Sequence, residues 1–438
     1  MNTNQPWIDE DGNVSISKLY VHMRENYHIL TVNNGKENTL YYFDNGCYKP
    51  LSEDRCKGLI KTHLPVEIRK SSHWNGVYKE LITDLAKVEE SDFNSDESII
   101  NFQNGILDIY TDALMPHDPK YLSTIQIPCD YVPGLRFSSA PTFKKFLDDL
   151  TCNPKDLVTL LESIGLIISN VIGSRFKKLL VLKGPGNTGK SVLREFVTYL
   201  VGDKNSQSID IKKLHSRFGV SEIYGKRLAG SGDLAFSRLD EIDKIKELTG
   251  GDNINVEAKY KQGFQFKYRG LLWYNCNELP LFGGDKGKHV YERFIIISCD
   301  KPVPEEERDS DLLNKLKEEK EAVISLAVKF LQSAIKKGYK FTESEKVIAN
   351  REEYITANNS LIAFVNECCD ICKHKTPTGD FNRKYQQWCS DNGLRPEKKH
   401  SIKTILEETF GVTAQKSGVW YYELRITINE FLSSLGKM

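Results

Sequence analysis

The sequence predicts an α/β protein in three parts: a core on a parallel sheet, an α+β region before it, and a small unit of helices closed by a hairpin after it. Three observations carry this. First, Leu182-Lys-Gly-Pro-Gly-Asn-Thr-Gly-Lys-Ser-Val-Leu193 places a glycine-rich loop after an apolar run of strand type, Lys178–Leu182. Beyond the loop, Leu193, Phe196, Val197 and Leu200 recur at helical spacing until Gly202 offers a stop. Second, short apolar runs broken by Asn-Gly pairs precede this segment. Third, the last helical patterns give way to two strand-like runs around Lys416-Ser417-Gly418.

Composition narrows the setting. A chain of 438 residues has room for two or three domains with their own cores. Its 60 Lys and Arg balance 60 Asp and Glu, so no global field recruits nucleic acid and any basic surface must be local. The ten cysteines are scattered, the opening is polar, and no apolar run approaches membrane-spanning length. The expectation is a cytoplasmic protein without disulfides or membrane contact.

The elements follow in order. Residues 1–140 read as an α+β accessory domain, in which "NTLYYFDNGCYKPL" and "SIINFQNGILDIYTDALMPH" form strands around Asn-Gly turns. Residues 141–175 turn helical, in "TFKKFLDDL" and "DLVTLLESIGLIISNVI", and form a linker or collar. The core occupies 176–300. Over 301–359 an acidic run, "PVPEEERDSD", leads into "LLNKLKEEKEAVISLAVKFLQSAIKKG", whose charges mix in sign as on a solvated face. Residues 360–438 form the closing unit.

The central loop has a specific chemistry. Gly184, Gly189, Lys190 and Ser191 fill the pattern G-x-x-x-x-G-K-[ST]. The backbone from Gly184 through Pro185, Gly186, Asn187, Thr188 and Gly189 would close around the phosphates of ATP without a Cβ in the way. Lys190 would reach the β- and γ-phosphates, and the Ser191 hydroxyl would ligate Mg²⁺. A second carboxylate is needed for the metal and the attacking water. Asp233, after the weakly apolar run Arg227–Gly232, is the candidate, with a plain loop aspartate as the alternative.

The order downstream is informative: a short acidic strand, then "KELTGGD", a lysine-bearing turn, and an apolar strand ending in "NCNELP". In this order the chain resembles the superfamily 3 helicases, in particular the branch of phage, plasmid and poxvirus primase-helicases. Within that branch it looks like the replication initiators of Gram-positive mobile elements such as staphylococcal pathogenicity islands. The likeness covers about residues 100 to 430 and is loose over the first hundred. It implies an AAA+ ATPase core that assembles as a homo-oligomer, a hexameric ring, and translocates on single-stranded DNA. It assigns Asp233 to the acidic strand position, where the family often shows two adjacent acids and this chain has Gly232-Asp233. Whether Asp233 serves Mg²⁺, water or both stays open. Asn277 matches the polar sensor, with Asn275 the rival one register step away. Arg293, in "YERFIII", matches the arginine that reaches the neighbouring subunit's ATP; a strand-flanking ion pair is the plain alternative. Lys259, Tyr260 and Lys261 would form the tip of a hairpin in the ring's pore, where ammonium groups meet phosphates and the ring meets a base.

In the last unit, "FNRKYQQWCSDNG" and "RPEKKHSIKTILEETFG" read as two helices across Asn392-Gly393. The second sets Ile402, Ile405, Leu406 and Phe410 on one face and Lys398, Lys399, His400 and Lys403 on the other. With the hairpin "VTAQKSGVWYYELRITI" this makes a winged helix, able to enter a major groove through Lys398, Lys399, Lys403 and Lys416. From Lys373 to Arg425 there are ten Lys and Arg against six Asp and Glu, although a protein-docking winged helix has the same pattern. Cys369, Cys372 and His374 hint at zinc, but "LIAFVNECCDIC" has helical spacing and no second ligand pair follows.

Together these readings predict an ATP- and Mg²⁺-dependent DNA helicase and replication initiator, acting on single strands and on an origin duplex. A separate primase or host replication proteins would be its partners. The alternatives are a P-loop switch that moves a protein partner, and the helicase half of a primase-helicase.

Overall fold

The computed structural model describes residues 5–33, 37–85, 87–151, 153–234, 238–239, 242–256, 264–283, 286–392 and 394–427. The amino-terminal unit is a four-stranded sheet in the order Cys47–Leu51, Asn38–Asp44, Leu30–Asn33, Lys87–Glu89. The first three strands are antiparallel and the last is parallel. Asn45-Gly46 makes the tight turn between two of them, and both residues take positive φ, 50° and 87°. A primed hairpin turn demands that, and Asn-Gly supplies it at little cost. Leu19, Met23, Leu40, Cys56, Ile60, Val77 and Leu81 close a core between this sheet and three helices.

The next strands, Ile99–Phe102, Gly105–Asp108 and Leu114–Met115, belong to a different core. Ile100, Phe102 and Leu107 pack into one cluster with Leu160, Ile164, Leu180, Val323 and Leu331. Residues 1–140 therefore contribute to more than one hydrophobic core, and this one is shared with the centre of the molecule.

That centre is a five-stranded sheet: β1 (Leu179–Lys183), β2 (Ser206–Ser208), β3 (Leu228–Gly230), β4 (Leu271–Cys276) and β5 (Phe294–Ser298). The spatial order is β5-β1-β4-β3-β2, and every neighbouring pair is parallel. Strands β1 and β4 are buried along nearly their whole length, which explains their continuous apolar sequences. Helices α1 (Pro141–Thr151) and α2 (Pro154–Ile168) precede the sheet, and α3 (Lys190–Val201) follows the loop after β1. Helix α4 (Asp243–Gly250) leads into an antiparallel pair, Ile254–Val256 with Phe264–Phe266.

Helix α5 (Lys320–Lys336) lies along α2. Its mixed charges mark only one side, because Val323, Ala327, Val328 and Leu331 are fully buried. The crossing is close: a Cβ on Gly165 would stand 2.4 Å from the carbonyl oxygen of Ala327.

The last unit runs α6 (Ser360–Cys368), β6 (Cys369–Pro377), α7 (Thr378–Asp391), α8 (Lys399–Phe410), β7 (Ala414–Ser417) and β8 (Val419–Ile426), with sheet order β6-β8-β7. Strand β6 departs from the sequence expectation, which carried a helical pattern through Cys372. Helix α6 stops at Cys368, and Cys369 already takes extended backbone. The helical stripe of Leu361, Phe364, Val365 and Cys368 is complete by then, and the chain turns to pair with β8. None of the described helices is long and apolar enough to cross a membrane.

Candidate active site

The loop between β1 and α3 is pinned from both sides at the carboxyl edge of the sheet. The Gly184 N–H donates to the Cys276 carbonyl of β4 at 3.1 Å, and Cys299, just past β5, donates to the Lys183 carbonyl at 2.7 Å. A Cβ on Gly184 would stand 2.0 Å from the Cys299 carbonyl oxygen, so only glycine fits there. Further on, Val303 donates to the Asn187 carbonyl at 2.8 Å. Gly189 caps α3 with φ of 96°, a conformation glycine adopts freely. Gly186 has no neighbour within 4 Å of where its Cβ would be, so the middle of the loop is open.

Lys190 is 8% exposed, and among the described residues no carboxylate pairs with it. Its ammonium donates to the carbonyl oxygens of Gly184 at 2.7 Å and Pro185 at 2.6 Å. A buried cation held by two carbonyls and the Thr188 hydroxyl, at 3.3 Å, inside a glycine-rich loop is a local positive field with an open front. Such a cradle suits an anion. Ser191 is exposed one residue further along.

Asp233 and Asn277 come out beside it. The Leu234 N–H donates to the Asn275 carbonyl at 2.7 Å, and Asn275 donates to Ser231 at 2.9 Å, so the segment carrying Asp233 runs alongside the end of β4. Asp233 is exposed there. Asn277 follows Cys276, whose carbonyl holds Gly184, and it too is exposed. Asn275 is wholly buried: its Oδ1 accepts from Trp273 Nε1 at 3.0 Å, and its Nδ2 donates to the Lys190 carbonyl at 2.9 Å. Of the two asparagines Asn277 is the exposed one, and no hydrogen bond of its amide is found among the described residues.

Arg194 was not singled out from sequence. One turn after Lys190, its guanidinium donates to the carbonyls of Trp273 at 2.9 Å, in the middle of β4, and Gly230 at 2.8 Å, at the end of β3. Burial pulls its pKa down to about 10, which still leaves it charged at neutrality. It ties the helix of the loop to the two strands that present Asp233 and Asn277. The available signal was an arginine in line with Val197 and Val201 on an otherwise apolar helix face.

Arg293 lies at the opposite, amino edge of the sheet. Its carbonyl accepts from Leu179, the first residue of β1, and its Nη1 donates to Thr249 Oγ1 at 2.8 Å and to the Lys246 carbonyl at 3.3 Å. The length of β1, about 16 Å at roughly 3.3 Å per residue, separates it from the loop of its own chain. Lys259, Tyr260 and Lys261 lie outside the described residues; the strands that lead to them are the antiparallel pair after α4.

In the last unit, Lys398, Lys399 and Lys403 are exposed along the start of α8, and Ile402 and Leu406 are buried beneath. Lys416 pairs across the hairpin with Trp420, which is 51% exposed. The unit is docked to the core by a sheltered ion pair, Lys286 to Glu397 at 2.7 Å, and by Lys286 donating to the Asn358 carbonyl. Cys368 is buried, Cys369 half-buried and Cys372 exposed.

With this geometry in hand, likenesses to known proteins can be placed. Residues 40–152 match the segment described as D5 N terminal like, and residues 182–310 match a family of unknown function, DUF5906. The chain is 27% identical over 237 residues to a protein of Acanthamoeba polyphaga mimivirus named "Putative helicase L207/L206", covering 51% of this chain and 24% of that protein. It thus spans about a quarter of that relative's length. It is 29% identical over 142 residues to the uncharacterized mitochondrial protein ymf21 of Marchantia polymorpha, covering 29% of this chain and 76% of that one. Among solved structures, the apo A form of the NrS-1 C terminal region (305-718) covers 92% of this chain and 98% of its own, with a TM-score of 0.50 and 15% identity. That last likeness is one of fold.

Proposed function

We propose that this chain is an ATP-driven replicative DNA helicase with an AAA+ core, assembling as a hexameric ring and binding an origin through a carboxy-terminal winged helix. The observation that carries the reading is the convergence at one sheet edge. An open cradle with a buried lysine, an exposed aspartate and an exposed asparagine emerge side by side from β1, β3 and β4. The similarity to a viral protein named as a helicase, and the D5-like segment, support a replication helicase or the helicase part of a primase-helicase.

In this reading the loop from Gly184 to Gly189 wraps the phosphates of ATP, and Lys190 exchanges its carbonyl contacts for the β- and γ-phosphates. Ser191 and Asp233 fit a Mg²⁺ ion, being exposed hydroxyl and carboxylate oxygens at the same edge; the metal would neutralise charge on the phosphates. Asn277 orients water against the γ-phosphate, and Arg293 serves the nucleotide of the neighbouring subunit. Lys259, Tyr260 and Lys261 contact the single strand, and Lys398, Lys399, Lys403 and Lys416 contact the duplex. The helix-strand-helix-helix-hairpin order of the last unit, with the lysines on α8 and the hairpin tip, supports that assignment.

The test is ATP hydrolysis with and without single-stranded DNA, for the native chain and for Lys190→Ala. Hydrolysis stimulated by DNA and abolished in the variant is expected. Native hydrolysis indifferent to DNA would favour a protein-directed switch, and wild-type turnover in Lys190→Ala would sink the site itself.

A further inference from the structure

Two basic runs far apart in sequence meet at the amino edge of the central sheet, opposite the nucleotide cradle: Arg175-Phe-Lys-Lys178, just before β1, and Lys336-Lys-Gly-Tyr-Lys340, at the end of α5. The Phe176 ring lies 4.4 Å from that of Phe341 and 5.9 Å from that of Tyr339. The Arg175 guanidinium sits 4.9 Å over the Tyr339 ring, and the Tyr110 hydroxyl bonds that of Tyr339. Tyr110 is 60% exposed.

Charge accounting separates structural cations from available ones. Arg175 pairs with Glu97 at 2.7 Å, Lys178 with Glu343 at 2.5 Å, and Lys337 with the buried Glu162 at 3.6 Å. Nearby Asp112 accepts from the Tyr131 hydroxyl at 2.8 Å. Lys177, Lys336 and Lys340 are exposed, and no ion pair to any of them is found among the described residues. Glu97, Glu343 and Glu162 are thus taken by other cations, and three exposed lysines stand beside an exposed tyrosine.

The patch also borders the root of the antiparallel pair after α4. Gly173 donates to the Arg269 carbonyl at 2.9 Å, three residues past the strand Phe264–Phe266, and a Cβ on Gly251 would stand 2.5 Å from Ser174 Oγ. Exposed ammonium groups beside an exposed tyrosine, Tyr110, form a surface that can track a phosphate backbone while offering a base a stacking partner.

We propose that Lys177, Lys336 and Lys340, with Tyr110 and Tyr339, form a second contact surface for single-stranded DNA, continuing the strand's path from the hairpin along the amino edge of the sheet. This rests on the helicase reading above and extends it to residues which that reading leaves unused. The three lysines touch neither the cradle nor a core, so replacing them should leave basal ATP hydrolysis and thermal stability unchanged.

The experiment compares the full chain with the triple variant Lys177→Ala, Lys336→Ala, Lys340→Ala and with the corresponding triple arginine variant. Binding of a labelled oligothymidine is measured across a salt series. The alanine variant should bind at least about tenfold more weakly near 0.1 M salt, and the slope of log affinity against log salt should be shallower by roughly two, at ~0.7 per phosphate contact on single strands. The arginine variant should keep both. Tyr110→Ala should weaken binding without changing the slope. Native affinity and slope in the alanine variant would overturn the proposal while leaving the helicase reading standing. A native chain with no DNA binding and no DNA-stimulated hydrolysis would overturn the reading and the proposal together. A variant that changes self-association but not DNA binding would assign the patch to contact between copies, and would also overturn it.

Discussion

The side-chain amide of Asn275 donates to the backbone carbonyl of Lys190 at 2.9 Å, joining the fourth strand of the sheet to the first turn of the helix after the glycine-rich loop. The same amide accepts the Trp273 indole N–H, so neither end of it is left to meet a ligand. Two residues later Asn277 is exposed. Asn275 lies within buried β4 and serves as a brace, whereas Asn277 lies just past the strand's last residue, Cys276, where the chain reaches solvent.

Substitution should separate the two. Asn275→Ala leaves the buried Trp273 N–H without its partner and removes the amide's bond to the Lys190 carbonyl, at a cost of about 1–3 kcal/mol. Thermal unfolding should shift down by several degrees, with hydrolysis falling as a consequence. Asn277→Ala should unfold at the native temperature, bind ATP, and hydrolyse it at least about a hundredfold more slowly. Equal loss of stability in both variants would contradict this division of roles.

The two loop glycines at 184 and 186 make a second contrast. Gly184→Ala drives a methyl group into the Cys299 carbonyl, 2.0 Å away, and must displace β5 or the loop, costing about 1–3 kcal/mol or more. Gly186→Ala meets nothing within 4 Å in the protein. Its methyl group would crowd only a bound phosphate. Calorimetry should therefore show lowered stability for the first variant and native stability for the second, with ATP affinity reduced in both. Native ATP affinity in Gly186→Ala would place the phosphates elsewhere.

Arg293 has two possible employments, and the structure displays one of them: a brace from the start of β5 to Thr249 on α4. Its distance from the cradle of its own chain rules out service there, so a catalytic role requires the neighbouring copy. Mixed rings decide the matter. If Arg293 acts in trans, Arg293→Ala doped into native protein should reduce hydrolysis more than in proportion, while nucleotide affinity is kept. A strictly proportional loss, together with a lowered unfolding temperature, would identify Arg293 as a brace alone.

How legible these features were depends on how far apart in the chain their causes lie. The strand and helix around the glycine-rich loop were readable because strand, glycines, lysine and helix are contiguous, and the structure has them at Leu179–Lys183 and Lys190–Val201. The Asn45-Gly46 turn was readable for the same reason. Strand β6 was missed because Cys369, Cys372 and the apolar residues before them continue a helical stripe, and only pairing with β8, about fifty residues later, makes them extended. Arg194 was missed because its acceptors, Gly230 and Trp273, are set by sheet order, and the sequence of α3 contains no trace of them. The basic edge at Lys177, Lys336 and Lys340 is likewise a product of α5 folding back along α2.

The hairpin after α4 gives the last prediction. Its two described strands pair Ile254 with Phe266 and Val256 with Phe264, so Lys259, Tyr260 and Lys261 fall within the connection between them. Neither lysine is part of the run Gly184–Ser191. Lys259→Ala with Lys261→Ala should therefore keep basal ATP hydrolysis while its stimulation by single-stranded DNA and the separation of a forked duplex both collapse. In a ring the loss is repeated in every subunit, and because each phosphate contact releases counterions, binding should also become less sensitive to salt. The hairpin and the amino-edge lysines then make different predictions for one assay. If the hairpin drives translocation, its double variant abolishes unwinding even at low salt, where DNA remains bound. The edge variant, which only holds the strand, should recover unwinding as salt is lowered. Unwinding that survives the hairpin substitutions at every salt concentration would mean that force is applied to DNA by another element.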